Sequence, residues 1–300
     1  MQPRLAGKVA LVTGSGQGIG EAIALELARQ GCKVVTNSRR PGSRGGDADT
    51  TARRIVDLHG EAIAHYGDVS DFQVAGGMVQ AAVDTFGRLD ILVNNAGIVR
   101  DRLILNMTEE DWDVVIKVHL YGHFNLIRHA CNVFRRQRYG RIINTSSIAG
   151  LGMTIGQANY AAAKEGIIGL TRMVARDMGR LGVTCNAIRP NASTRLTLTD
   201  ELRAAWTKSG MEAAIKQLEG LKPEDIAPLV VWLASDEAAN VNGRTFHVQT
   251  GRISLYSEPV EEKTVTKEGP WTTDDVFTLL PGITADLVNI TDRKQKKGTL

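Results

Sequence analysis

Val9-Ala10-Leu11-Val12-Thr13-Gly14-Ser15-Gly16-Gln17-Gly18-Ile19-Gly20 passes from a short apolar run, through a loop with glycine at every second position, into a helical pattern. A glycine loop that leaves a strand and opens a helix points backbone N–H groups at a pyrophosphate. Gly14 supplies the sharp turn, Gly18 lets the backbone approach a ligand, and Gly20 lets helix and strand pack closely. Gly14, Gln17, Gly18, Ile19 and Gly20 are therefore candidate dinucleotide contacts. Taken alone, the same residues also suit an ordinary tight strand–helix turn.

Outward from this loop, apolar runs at Val9–Val12, Lys33–Asn37, Ala62–Tyr66, Ile91–Asn94, Arg141–Thr145, Val183–Ile188 and Thr245–Val248 alternate with helical stretches. Those stretches begin near Ile19, Asp49, Asp71, Glu109, Gln157 and Pro223. The alternation is that of repeated βαβ units, whose crossover helices cover both faces of a parallel sheet. It predicts a Rossmann-type, doubly wound α/β fold with a mostly parallel, seven-stranded sheet. From Gly251 the composition turns polar, with Pro259, Pro270 and Pro281 and one short helix from Thr273. The expected organisation is a single dinucleotide-binding and catalytic domain, residues 1–251, followed by a C-terminal extension, residues 252–300, that is not a second core.

The 300 residues carry a net charge of +3 with Lys and Arg scattered, which is no nucleic-acid footprint. No apolar run approaches the ~20 residues of a membrane span. The first apolar run enters the glycine loop without a cleavage pattern, so no signal peptide is expected. Cys32, Cys131 and Cys185 are odd in number and far apart, which fits a reducing cytoplasm and buried thiols. His59, His65, His119, His123, His129 and His247 lack Cys or carboxylate companions at ligand spacing, so no metal is expected.

After the second apolar run, Asn37-Ser38-Arg39-Arg40 offers no acid for a ribose and two guanidinium groups. A cation there favours the 2′-phosphate of NADP, so NADP(H) is expected over NAD(H). Arg39 and Arg40 are the candidate phosphate ligands, Arg39 first, with Ser38 a hydrogen-bond donor. The bland alternative is a pair of solvated loop charges. Farther on, Tyr160 and Lys164 stand four apart in Asn159-Tyr160-Ala161-Ala162-Ala163-Lys164, thirteen residues after Ser147. On a helix that spacing stacks phenol and ammonium on one face. A cation within about 4–6 Å lowers a phenol by roughly one to three pH units, toward useful acid/base chemistry. A lone pair of this kind is more often an ordinary helix surface.

These motifs together resemble the short-chain dehydrogenase/reductase family over roughly residues 5–250. Beside the glycine loop stand Asp68-Val69, which the resemblance places at the adenine, and Asn94-Asn95-Ala96-Gly97, whose Asn95, Ala96 and Gly97 it places in support of the cofactor. Ser147, Tyr160 and Lys164 fall on the family's catalytic Ser, Tyr and Lys. The resemblance implies hydride transfer between nicotinamide and a secondary alcohol or ketone, with Tyr160 as acid/base, Ser147 holding the substrate oxygen and Lys164 also on the nicotinamide ribose. Pro190, Asn191 and Thr194 are placed near the nicotinamide. Gly97-Ile98-Val99-Arg100-Asp101-Arg102, Val118-His119-Leu120, Gly156-Gln157-Ala158-Asn159-Tyr160 and Cys185 to Ala192 look like a narrower branch, the (3R)-hydroxyacyl-CoA dehydrogenase unit of peroxisomal multifunctional enzyme type 2, also called 17β-hydroxysteroid dehydrogenase type 4.

Two positions depart from the family. His119 stands where most members have an Asn that positions a relay water, and is either a proton relay or a packed polar residue. Asn191 stands where many have glycine; it tolerates left-handed backbone better than most residues. The expected substrate pair is a 3-hydroxyacyl-CoA and its 3-oxoacyl-CoA. A 3-oxoacyl-acyl-carrier-protein, a hydroxysteroid, or a non-enzymatic NADP-binding sensor or scaffold remain alternatives. The helix expected from Leu196 to Lys216, with Leu196, Leu198, Leu202 and Trp206, admits an apolar substrate or simply packs inward. Family resemblance implies a homodimer or homotetramer.

Overall fold

The computed structural model describes residues 3–42, 46–194 and 200–289. Leu196 and Leu198, two of the expected substrate-side residues, lie outside them.

Each expected strand forms within one or two residues of its expected bounds: β1 Val9–Val12, β2 Lys33–Ser38, β3 Ala62–Tyr66, β4 Ile91–Asn94, β5 Gly140–Thr145, β6 Val183–Pro190 and β7 Thr245–Gln249. The sheet has eight strands rather than seven, because β8, Arg252–Leu255, turns back antiparallel onto β7. Its residues are mostly exposed, so as an edge strand it lacks the continuous apolar run that marks buried strands such as β1 and most of β4. The first compact unit accordingly runs to Tyr256, and the second comprises Ser257–Leu300.

Strand order is β3-β2-β1-β4-β5-β6-β7-β8, with all neighbours parallel up to β7. The chain reverses its winding between β1 and β4. Loops leaving the carboxyl ends of these two strands diverge there and open a crevice, the place where doubly wound sheets bind ligands.

Helices α1 Gly18–Arg29, α2 Ala48–Asp57, α3 Phe72–Phe86, α4 Glu109–Ile116, α5 Gly122–Gln137, α6 Ala158–Gly179, α7 Asp200–Lys208, α8 Glu212–Glu219 and α9 Ala227–Ala234 belong to the first unit. Two apolar cores lie on opposite faces of the sheet. One gathers Ile23 and Leu27 of α1 with Val230 and Leu233 of α9; the other gathers Met78, Leu126 and Phe134 of α3 and α5 with Val174 of α6. Asp71 caps α3, accepting from the Gln73 and Val74 amides at 2.8 and 2.9 Å. The helix expected from Leu196 to Lys216 is instead two, α7 and α8. Gly210, at φ +70°, ends the first and starts the turn into the second.

In the second unit α10, Thr273–Leu279, starts from a reciprocal Thr272–Asp275 cap, and α11 is the short Pro281–Thr284. No helix among the described residues is long and apolar enough to cross a membrane.

Candidate active site

The glycine loop and the turn after β4 are laced together. Thr13 Oγ1 accepts from the Asn95 and Ala96 amides at 2.9 and 3.1 Å, and Asn95 Nδ2 donates to the Thr13 and Gly14 carbonyls at 3.1 and 3.2 Å. From the other side, Asn37 Oδ1 accepts from the Gly14 amide at 3.2 Å, while its Nδ2 donates to the carbonyls of Ser38, His65 and Gly67. Gly14 sits at φ +62°, and a Cβ there would lie 2.7 Å from Ala96 Cα. A Cβ on Gly20 would run into the Gly14 carbonyl and lie 2.5 Å from Asn95 Nδ2. Gly18, at φ +61°, faces the Thr194 methyl. Gln17, the N-cap of α1, makes no side-chain cap, so the first-turn amides of Gly18, Ile19 and Gly20 are not closed off by it. Left-handed glycines and an uncapped helix at the sheet's crevice fit a dinucleotide pyrophosphate.

Around that loop, Asp68 Oδ1 is engaged by the Ser70 amide and hydroxyl at 2.9 and 2.7 Å, and Val69 is buried beneath Gly122. At the end of β2, Arg39 and Arg40 are both exposed. The Ser38 hydroxyl is already occupied: it accepts from the Ala48 amide at 3.0 Å and donates to the Arg40 carbonyl at 3.3 Å. Asn191 is tied to β7 through its amide to the Val248 carbonyl at 2.9 Å, beside Pro190. Its backbone is not left-handed; among the described non-glycine residues only His59 and Arg138 have positive φ.

Ser147 leaves β5 in extended conformation, φ −159°, and caps a single 3₁₀ turn, Ile148–Leu151, by accepting from the Ala149 amide at 3.1 Å. α6 then brings Tyr160 and Lys164 to the same place, one turn apart. The Ser147 side chain stands close enough to the Tyr160 phenol to favour its ionised form. Lys164 Nζ lies 5.3 Å from the Tyr160 ring centroid and donates to the Thr145 carbonyl at 2.6 Å. Neighbouring Ser146 is not at the phenol; its hydroxyl ties β5 to the Lys164 carbonyl at 2.8 Å.

The electrostatics differ from the simple expectation that Lys164 lowers the phenol. Burial raises Tyr160 to about 12, against which the nearby Ser147 side chain pulls it down and Asp101 adds a smaller push upward. Burial also lowers Lys164 to about 7. Desolvation penalises both charged forms and outweighs their mutual attraction. The group that favours phenolate here is Ser147, and Lys164 is an amine poised near neutrality.

His119 is buried in a five-residue π turn, Lys117–Tyr121, that joins α4 to α5. Such a turn re-aims side chains within a helix and recurs at functional sites. The ring meets Tyr160 edge-on, with centroids 5.0 Å apart. Nε2 lies 2.8 Å from the Ile98 carbonyl oxygen, and Nδ1 is buried without a partner among the described residues. Burial first and the nearby Lys164 second hold this imidazole well below its usual range. His123 Nδ1 donates to the His119 carbonyl at 2.6 Å. The two histidines thus pack against each other, and no group of three or more His, Cys, Asp and Glu able to hold a metal occurs among the described residues.

Three supporting residues stand inside the quoted motifs, but the motifs assign them no role. Thr13 and Asn37 lace the glycine loop, and Asn159 pins the start of α6 by donating to the Arg100 and Asp111 carbonyls at 3.0 and 2.8 Å. Polar residues at strand and helix ends are common, so only the three-dimensional partners single these out.

A family model described as Enoyl-(Acyl carrier protein) reductase matches residues 14–252. Hydroxyacyl-CoA dehydrogenase ChsB1 of Mycobacterium tuberculosis is 44% identical over 274 residues, covering 88% of this chain and 84% of that protein. The chain belongs to the short-chain dehydrogenase/reductase family. It is thereby an oxidoreductase acting on hydroxyl and keto groups, in a family that binds a nicotinamide cofactor. Peroxisomal multifunctional enzyme type 2 of Mus musculus is 40% identical over 83% of this chain, which matches 32% of that longer protein. A 3-oxoacyl-[acyl-carrier-protein] reductase of Synechocystis is 40% identical over 83% of this chain and 98% of its own. The crystal structure of a short chain dehydrogenase from Mycobacterium avium superposes with a TM-score of 0.82 at 40% identity, covering 95% of this chain and 97% of that one. This short-chain dehydrogenase/reductase is thus related both to hydroxyacyl-CoA dehydrogenases and to 3-oxoacyl-acyl-carrier-protein reductases.

Proposed function

We propose that this enzyme interconverts a 3-hydroxyacyl-CoA and a 3-oxoacyl-CoA with NADP(H), using Ser147, Tyr160 and Lys164. The observation that carries the chemistry is the gathering of Ser147, at the end of β5, with Tyr160 and a buried Lys164 5.3 Å from its ring, next to the glycine cradle. When bound, the nicotinamide supplies or accepts the hydride. In reduction Tyr160 gives its phenolic proton to the carbonyl oxygen as the alkoxide forms; in oxidation its phenolate takes the hydroxyl proton. Ser147 holds the same oxygen by a hydrogen bond. Lys164, close to the phenol and near neutrality, is the group through which the proton lost or gained by Tyr160 is exchanged, and it would also hold the ribose of a bound nicotinamide. His119, edge-on to Tyr160, has a supporting role behind them.

Gly14, Gln17, Gly18, Ile19 and Gly20 would hold the pyrophosphate, Asp68 and Val69 the adenine, and Asn95 to Gly97 with Pro190, Asn191 and Thr194 the nicotinamide side. The NADP(H) preference is supported by Arg39, exposed beside Ser38 where a ribose-binding acid would otherwise stand. Since the Ser38 hydroxyl is engaged by the Ala48 amide and the Arg40 carbonyl, Arg39 is the main phosphate ligand in this reading. Equal kcat/KM with NADPH and NADH overturns it.

An apolar acyl chain is supported by the wall before α6. Leu103, Ile104 and Leu105 precede α4, and Leu151, Met153 and Ile155 precede Tyr160; all six are exposed, and Arg102 bridges the two segments by donating to the Gly156 carbonyl at 2.8 Å. The full-length match to a 3-oxoacyl-[acyl-carrier-protein] reductase keeps the carrier-protein thioester as the second reading. Association into a homodimer or homotetramer is supported by Tyr121, Phe124 and Met173, large apolar side chains left exposed around α5 and α6. The test is to rank kcat/KM for acetoacetyl-CoA, longer 3-oxoacyl-CoA thioesters, the matching acyl-carrier-protein thioesters and a 17-ketosteroid. Highest efficiency with the coenzyme A thioesters is expected, and preference for the carrier protein or the steroid refutes the assignment.

A further inference from the structure

Arg189, the seventh residue of β6, is a buried guanidinium on a strand otherwise lined by uncharged residues. Its side chain is only 4% exposed, and its three attachments all lie around the serine turn. Nη1 donates to the Ser147 carbonyl. Nη2 pairs at 2.6 Å with Oε1 of Glu165, the residue after Lys164 on α6. The ring of Tyr256, at the end of the antiparallel β8, lies 5.2 Å from the guanidinium carbon. Glu165 also lies directly against Gly150, because a Cβ on that glycine would meet its Oε1. One buried cation therefore joins β6, α6 and the segment after β8 to the backbone of Ser147.

We propose that Arg189, held by Glu165 and Tyr256, is a positioning residue that sets the Ser147 hydroxyl against Tyr160, an inference that rests on Ser147 holding the substrate oxygen. The hydroxyl of Ser147 faces the phenol while its carbonyl, on the other side of the same residue, is gripped by the guanidinium. The only other donor recorded at that carbonyl among the described residues is the Gly150 amide, at a long 3.4 Å. The charge-assisted bond is thus the stronger restraint on the peptide plane between Ser147 and Ile148. Planar two-pronged donation is what allows one side chain to reach both the carbonyl and the carboxylate, and a lysine cannot reproduce it. The arrangement also gives β8 a function: it carries Tyr256 over the guanidinium and so links the edge of the sheet to the reacting oxygen.

The test compares Arg189→Met, Arg189→Lys and Glu165→Gln in the full chain by amide hydrogen exchange over residues 147–152 and by kcat and KM for acetoacetyl-CoA with NADPH. In Arg189→Met the Ser147–Gly152 amides should exchange faster while the midpoint of global unfolding moves little. kcat should fall roughly ten- to a hundred-fold with KM nearly unchanged, since the loss is one of orientation at the reacting centre. Arg189→Lys should recover part of kcat, and Glu165→Gln should show a smaller loss of the same kind. Wild-type exchange, or wild-type kcat despite faster exchange, in a folded Arg189→Met overturns the proposal. Should that variant not fold, the same outcomes in Glu165→Gln decide it. A wild-type enzyme inactive on acetoacetyl-CoA removes the thioester reading alone, because the exchange comparison still reports whether Arg189 holds the turn.

Discussion

Replacing Lys164 with methionine should abolish turnover yet stabilise the nucleotide-free protein, and more so at acidic than at alkaline pH. Burial lowers this amine from 10.5 to about 7, so between those values the unfolded chain binds a proton that the folded one does not. Stability must then rise with pH through the window from about 7 to 10.5. The full penalty of charging the buried amine, present below about pH 7, is about 5 kcal/mol at 1.36 kcal/mol per pH unit. Between about pH 6 and pH 9 it shrinks by about 2–3 kcal/mol. Methionine removes that dependence but also strips the Thr145 carbonyl of its 2.6 Å donor, a cost of about 1–3 kcal/mol that does not vary with pH. Among the titratable groups facing Lys164, His119 and His123 are held neutral by burial and Tyr160 is raised to about 12, so none of the three changes charge between about pH 6 and about pH 9. Urea unfolding of both proteins at matched pH isolates the effect, because the remaining titrations cancel in the difference. The stabilising advantage of Lys164→Met should be largest near pH 6 and fall by about 2–3 kcal/mol by about pH 9. Parallel stability curves would refute the claim that Lys164 is a buried, poised amine.

Gly20→Ala should weaken NADPH binding at least tenfold and cost about 1–3 kcal/mol, because the new methyl meets the Gly14 carbonyl and Asn95, and backbone cannot yield as a flexible side chain can; fluorescence titration of NADPH and thermal unfolding check both. Asp90→Ala should cost about 2–4 kcal/mol in urea unfolding without altering KM, since this fully buried carboxylate accepts from the Val9 amide at 2.9 Å and from Arg88 at 2.6 and 2.8 Å at the end of the sheet away from the site. Ser38→Asp with Arg39→Ala should shift the kcat/KM ratio from NADPH toward NADH, measured by initial rates.

Seven strands and the glycine loop were legible because each strand has a run of β-branched or other apolar residues at its centre and the loop's geometry demands glycine at Gly14, Gly18 and Gly20. β8 was not legible, because Arg252–Leu255 is an exposed edge whose pairing depends on β7 rather than on its own periodicity. The Tyr160–Lys164 spacing located the residues but misjudged their electrostatics. Sequence spacing reports that the two groups share a helix face; it does not report burial, which reverses the expected direction for the phenol. Arg189 lies within the Cys185 to Ala192 stretch and carries no signal of its own. Its partners, Ser147, Glu165 and Tyr256, are remote in sequence, and only the sheet brings them together.

The central claim is that Tyr160 exchanges the proton with the substrate oxygen, and Tyr160→Phe tests it most directly because it deletes one hydroxyl and keeps the ring against His119. With acetoacetyl-CoA and NADPH, kcat should fall by about 10²–10⁴-fold while the NADPH dissociation constant stays near the wild-type value. Turnover at the wild-type rate in Tyr160→Phe would contradict the account.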